Sequence, residues 1–131
     1  VALAAGEAGR EPLAALLAGT TTVLAWWGTP VEVASAIARR ERDGTFTTAQ
    51  SSIAADRLQH MASRWVEIEP GEPLRRLAQR LVRVHPLRAA DAFQLAAALV
   101  AAEHDPSGVE FVCLDARLAN AASREGFRVV G

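Results

Sequence analysis

Three acids, Glu32, Asp91 and Asp115, stand at positions where a carboxylate is chemically useful. Glu32 falls in the first turn of a predicted helix that follows the β-branched, apolar run Thr21–Trp26, and Asp115 directly follows a second strand candidate, Glu110–Leu114. In open α/β sheets ligands lie beyond the carboxyl ends of the strands, where the next helices begin. Asp91 sits early in a long alanine-rich helix, and its i±4 neighbours Leu87 and Leu95, then Leu99, put it on the apolar, inward stripe. An unpaired carboxylate there is costly. Two ionised carboxylates about 4 Å apart repel by about 4 kcal/mol at an effective dielectric of 20. Either their pKa values rise or a cation sits between them. Oxygen-only ligands select hard cations, Mg2+ or Mn2+. Such a cation turns a bound water into a nucleophile and neutralises charge developing on a phosphodiester.

Each acid also has a structural explanation. The helix dipole favours carboxylates in a first turn, which accounts for Glu32 and Asp115 on its own. Asp91 is harder to explain, although Arg88 lies close enough in sequence to pair with it.

The elements that must hold these acids alternate between helix and short strand. Val1–Ala18 reads as helical, with a break near Gly9 and a restart at Pro12. Thr21–Trp26 reads as a buried strand closed by Gly28. Thr29-Pro30-Val31-Glu32 has the form of a capping box that opens a helix to Asp43, with Gly44 as its stop. Thr47 and Gln50 repeat that signal for a helix ending near Arg64. Trp65–Glu69 follows as a strand, and Pro70-Gly71 turns into a helix from about Glu72 to Arg83. After His85-Pro86, Leu87–Glu103 is a helix, Glu110–Leu114 a strand, Ala116–Glu125 a helix stopped by Gly126, and Phe127–Val130 a closing strand. This alternation predicts one α/β domain over residues 1–131 with a mostly parallel sheet and helices on both faces. Chains of this kind usually begin with a strand, so a first strand is expected to be missing before residue 1.

Composition removes several kinds of chemistry. The 131 residues carry 14 basic and 15 acidic side chains, a net charge of −1, and half are apolar. All the basic residues are arginine; without lysine there is no Walker loop, no Schiff-base catalysis and no phospho-receiver site. Neither a G-x-S-x-G elbow nor a G-x-G-x-x-G loop occurs. The charge balance argues against sequence-blind binding of long nucleic acid. No stretch is apolar for long enough to span a membrane and Val1–Ala5 lacks a signal-peptide charge, so the cytoplasm is the default expectation. The single cysteine, Cys113, excludes an internal disulfide and reads as a buried small hydrophobe. His60, His85 and His104 lack zinc-like spacing and have no obvious aspartate partner in a triad order. Arg76, Arg80 and Arg83 form a basic stripe leading toward Arg88; it reads either as a phosphate contact or as a solvated face with Glu72 paired to Arg76. Arg39, Arg40 and Arg42 allow the same two readings. Trp26, Trp27 and Trp65, at strand ends, are expected in the core rather than as stacking platforms.

The segment Leu87-Arg88-Ala89-Ala90-Asp91-Ala92-Phe93-Gln94-Leu95-Ala96 resembles the central motif of PIN-domain ribonucleases, the VapC-type toxins. Phe111-Val112-Cys113-Leu114-Asp115-Ala116-Arg117-Leu118-Ala119, followed by Ala121-Ala122 and Glu125-Gly126-Phe127, resembles their strand-then-aspartate motif. Pro30-Val31-Glu32-Val33 through Arg39-Arg40-Glu41 resembles their helix-borne glutamate motif. The likeness runs in order over essentially the whole chain. It implies a PIN-like three-layer α/β/α sandwich and a metal-dependent endoribonuclease that cleaves RNA phosphodiester bonds, the toxin of a toxin–antitoxin pair. Glu32, Asp91 and Asp115 would be both catalytic acids and ligands of Mg2+ or Mn2+; Arg88, by its place one turn before Asp91, is expected either to orient that acid or to meet substrate phosphate. A homodimer and a small VapB-type antitoxin are implied as partners. The family's first aspartate ends the first strand, just before an apolar stretch resembling Val1-Ala2-Leu3, and has no counterpart here. Arg117 stands where some relatives carry a further acid. The competing expectation is therefore a catalytically impaired PIN-like interaction module.

Overall fold

The computed structural model describes residues 2–3, 23–113 and 115–130. The chain is mixed α/β. Strands β1 (Ala2–Leu3), β2 (Leu24–Trp26), β3 (Val66–Ile68), β4 (Glu110–Val112) and β5 (Arg128–Val130) form one sheet in the order β3-β2-β1-β4-β5. Every pairing is parallel, with Ala2 opposite both Leu24 and Phe111. The helices are α1 (Thr29–Arg42), α2 (Thr48–Ala62), α3 (Glu72–Val84), α4 (Ala89–Ala101) and α5 (Ala116–Arg124), with a 3-10 turn at Pro106–Gly108.

The helix predicted over Val1–Ala18 is corrected at its start: Ala2 and Leu3 form the middle strand of the sheet. The remainder of that predicted helix, and Thr21, Thr22 and Leu114 of two predicted strands, lie outside the described residues. The physical reason for the correction is non-local. β2 and β4 each present a row of unpaired backbone groups to the gap between them, and a helix cannot satisfy these.

Period-two alternation sends neighbouring strand residues to opposite faces of the sheet. Ala25 and Val112 join a small cluster with Leu58 and Trp65, against which Val33 and Met61 pack. Trp26 and Phe111 instead join the larger core with Leu81, Leu95, Leu118 and Phe127. Helix α4 is buried along Ala92 and Gln94–Leu99, which is why its sequence is so nearly all alanine and leucine. Small side chains let α3 and the sheet approach its backbone closely.

Two capping signals have different outcomes. At Thr47 the capping box forms: its Oγ1 accepts from the Gln50 backbone N–H at 3.1 Å, and the Gln50 side chain accepts from the Thr47 N–H at 2.8 Å. The box predicted at Thr29 does not form. Gly28 is the N-cap, without a side-chain hydrogen bond, and Thr29 is fully buried inside the first turn. Glycine is required at 28 because a Cβ there would lie 2.6 Å from the Trp26 indole nitrogen. Freed from capping, Glu32 turns toward α4. The last helix ends as predicted at Gly126, whose φ of +103° is the left-handed conformation that favours glycine.

Candidate active site

Strand order reverses between β1 and β4: the chain moves outward through β2 to β3, then returns to the other side of β1 for β4 and β5. Such a switch point leaves a crevice beyond the carboxyl ends of the central strands, because consecutive connections depart in opposite directions. Two predicted acids border it. Glu32 is in the first turn of α1, just after β2, and Asp115 is the N-cap of α5, just after β4. Asp91 comes from the first turn of α4.

The contacts tie these elements together. Gln94, one turn beyond Asp91, is buried and donates from Nε2 to Glu32 Oε2. Asp115 accepts from the Leu118 backbone N–H at 2.9 Å, so it also does the structural work of a helix cap. Arg88 is the N-cap residue of α4 and is exposed.

The electrostatics couple the acids in a row. Burial first, and the charge of Asp91 second, push the Glu32 carboxyl up to about 7. Asp91 is itself raised, first by burial and then by the charge of Asp115; Arg88, through its charge and its backbone N–H, and Arg117 act in the opposite direction. Arg117 is thus a counter-charge to Asp91 where an additional acid would have added to the repulsion.

Among the described residues, no three His, Cys, Asp or Glu side chains converge closely enough to enclose a metal ion. The donor chemistry nonetheless fits a hard divalent cation held in the manner of Mg2+, by one or two carboxylates with water completing the shell. The coupled pairs Glu32–Asp91 and Asp91–Asp115 are oxygen-only and carry excess negative charge. Gln94 Oε1, buried without a hydrogen-bond partner, adds a further hard oxygen beside them.

Gln94 is a site residue that the sequence reading missed. Its signal was available: a lone amide in an otherwise apolar run, three residues from Asp91 and so on the same side of the helix. A second omission is Glu125. Buried His85 has a carboxylate partner after all, with Nε2 2.7 Å from Glu125 Oε2, while Arg80 donates to the other carboxylate oxygen at 3.1 Å. The basic stripe resolves toward its structural reading, since Arg76 pairs with Glu72 at 3.5 Å and Arg80 is taken by Glu125. Arg40 lies over the Phe46 ring at 5.7 Å. Cys113 is buried as expected, its thiol pushed up to about 11 chiefly by desolvation. Trp26 and Trp65 are in the core; Trp27 departs from expectation and is 53% exposed.

A scan of the chain against protein-family models matches none, and a search of curated proteins also finds no match.

Proposed function

We propose that the chain is a PIN-like metal-dependent endoribonuclease, the toxin of a toxin–antitoxin pair, built as a three-layer α/β/α sandwich. The observation that carries the reading is the charge-coupled row Glu32–Asp91–Asp115. Three separate elements supply it, at the carboxyl edge of a parallel sheet beside its switch point. Burying like charges together disfavours their ionised forms, and a cation offsets that cost.

In this reading Asp91, Glu32 and Asp115 are the residues that would hold Mg2+ or Mn2+. The bound cation supplies Lewis acidity toward a phosphodiester oxygen and lowers the pKa of water. The chain's own residues do the remaining work. Gln94 fixes the Glu32 carboxylate through its amide. Arg117 and Arg88 hold positive charge against Asp91, and Arg88, exposed at the start of α4, is placed to meet substrate phosphate.

The second reading, a catalytically impaired interaction module, is favoured by one observation. Glu32 is engaged by Gln94 and Asp115 by the α5 N-terminus, so no three-donor cluster is assembled among the described residues. Calorimetric titration of Mn2+ separates the two. Saturable binding that Asp91→Asn abolishes, with RNA cleavage lost in the same variant, supports the ribonuclease. Binding unchanged in Asp91→Asn refutes the carboxylate assignment, and no binding by either protein favours the interaction module.

A further inference from the structure

On the other side of the start of α4 from Asp91 lies an open cavity of about 420 Å3, whose lining includes Trp26, Trp27, Glu72, Leu74, Arg75 and Phe93. Its walls are largely apolar. The Trp26 and Phe93 rings are stacked, 5.4 Å apart and only 6° from parallel, and Trp27 meets Trp26 edge-on at 6.3 Å. Trp26 and Phe93 are thereby held by packing. Trp27 is not; half of its indole surface remains in water, although burial of so large an apolar group is ordinarily favourable. Its backbone is fixed by an N–H bond to the Ile68 carbonyl at 3.1 Å, so the ring is displayed from a rigid sheet edge.

The cavity adjoins the acids through both of the segments that form it. Trp27-Gly28 leads directly into the helix whose first turn carries Glu32, and Phe93 lies between Asp91 and Gln94. Two residues along a helix are about 200° apart, so α4 presents Asp91 to the acidic row and Phe93 to the aromatic cavity. At the rim, Arg75 is paired with Glu72, which also lines the cavity, and Arg76 beside them shares that one carboxylate, so two arginines stand next to a single acid.

We propose that this cavity receives an unpaired nucleobase of single-stranded RNA, stacked on Trp27, while Arg75 meets the adjoining phosphate. The inference rests on the ribonuclease reading and deepens it, giving that activity a base-recognition subsite on the Phe93 side of α4. Every nucleobase has a π-face, so an exposed indole with a cation beside it accepts a base without needing a hydrogen-bond code. Charge complementarity favours this occupant: an apolar floor suits the base, a cationic rim suits the phosphate, and the acidic row lies beyond.

The test is binding of oligoribonucleotides of about five residues, followed by fluorescence anisotropy in EDTA so that cleavage plays no part. An abasic oligomer with the same number of phosphates serves as the comparison. Trp27→Ala is expected to weaken binding of the RNA about 5- to 150-fold, the range for one lost base stack, and Trp27→Phe to restore most of it. The abasic oligomer should bind weakly to all three proteins. Equal affinity of the parent and Trp27→Ala overturns the proposal, as does a change of oligomeric state in Trp27→Ala with RNA affinity unaltered, which would make the cavity a protein contact. Mn2+-dependent cleavage is scored separately. Cleavage by the parent with binding indifferent to Trp27 overturns the subsite and leaves the ribonuclease standing, whereas Trp27-dependent base binding without cleavage supports the subsite and removes the catalytic reading.

Discussion

Replacing Glu32 with glutamine should stabilise the protein, by an amount that grows as pH rises from about 4.5 to 7. In the fold this carboxyl ionises near 7, against an ordinary value of 4.5. Burial and the Asp91 charge both disfavour its ionised form. At about 1.4 kcal/mol per pH unit the full cost of ionising it in place is about 3 kcal/mol. Glu32 is only half-buried, however, and solvent screening reduces the figure to about 1–2 kcal/mol. The sign follows from proton counting. Below about 4.5 the side chain is neutral in both the folded and the unfolded chain and costs nothing. Between about 4.5 and 7 the unfolded chain loses the proton while the folded one keeps it, so stability falls as pH rises, and above 7 the whole cost is present. The substituted glutamine stays neutral throughout and still offers Gln94 an acceptor oxygen. Thermal unfolding of parent and Glu32→Gln should therefore coincide near pH 4.5, with the variant melting about 3–8 °C higher at pH 8. A variant that melts with the parent at pH 8, or that differs from it equally at both pH values, would refute the coupling of Glu32 to burial and to Asp91. If the proposed cation binds, saturating Mn2+ should narrow the gap at pH 8 by stabilising the parent more than the variant.

Gly28→Ala places a Cβ 2.6 Å from the Trp26 indole nitrogen, so the ring or the start of α1 must shift. A loss of about 1–3 kcal/mol in chemical denaturation, with altered tryptophan fluorescence, is the expected result. Glu125→Gln removes the carboxylate that joins buried His85 to Arg80. Charge-assisted hydrogen bonds of this kind contribute about 1.5–3 kcal/mol, and urea denaturation at pH 7 should show a loss of that order; an unchanged midpoint would mean the pair is neutral for stability.

Most of the element order was legible in the sequence because it rests on local signals. Pro73 and Gly71 begin α3, His85 ends it before Pro86, Thr47 with Gln50 caps α2, and Asp115 caps α5. These depend on the steric and hydrogen-bonding properties of adjacent residues, which do not change when the chain folds. No helix among the described residues is long and apolar enough to cross a membrane, and hydropathy indicated the same. Local logic failed at Thr29: the residues of a capping box were present, but packing of Trp26 over Gly28 moved the cap one residue back and buried the threonine. It failed again at Ala2–Leu3, where two short residues read as helix until two neighbouring strands offered them partners.

The candidate site divides in the same way. Sequence alone singled out Glu32, Asp91 and Asp115 as candidates, Asp91 because an acid on an apolar stripe is anomalous wherever the chain goes and the other two by their place after strands. Their coupling to one another was a product of the sheet, whose order reversal brings the ends of β2 and β4 to either side of β1 and lays the start of α4 against α1. Gln94 beside Glu32, Glu125 beside His85 and the exposed face of Trp27 belong to that second kind of information. They join residues as many as 62 positions apart in sequence, and no local pattern specifies which buried amide will meet which acid. That choice is made only when the helices dock, since desolvated polar groups must then find partners within reach.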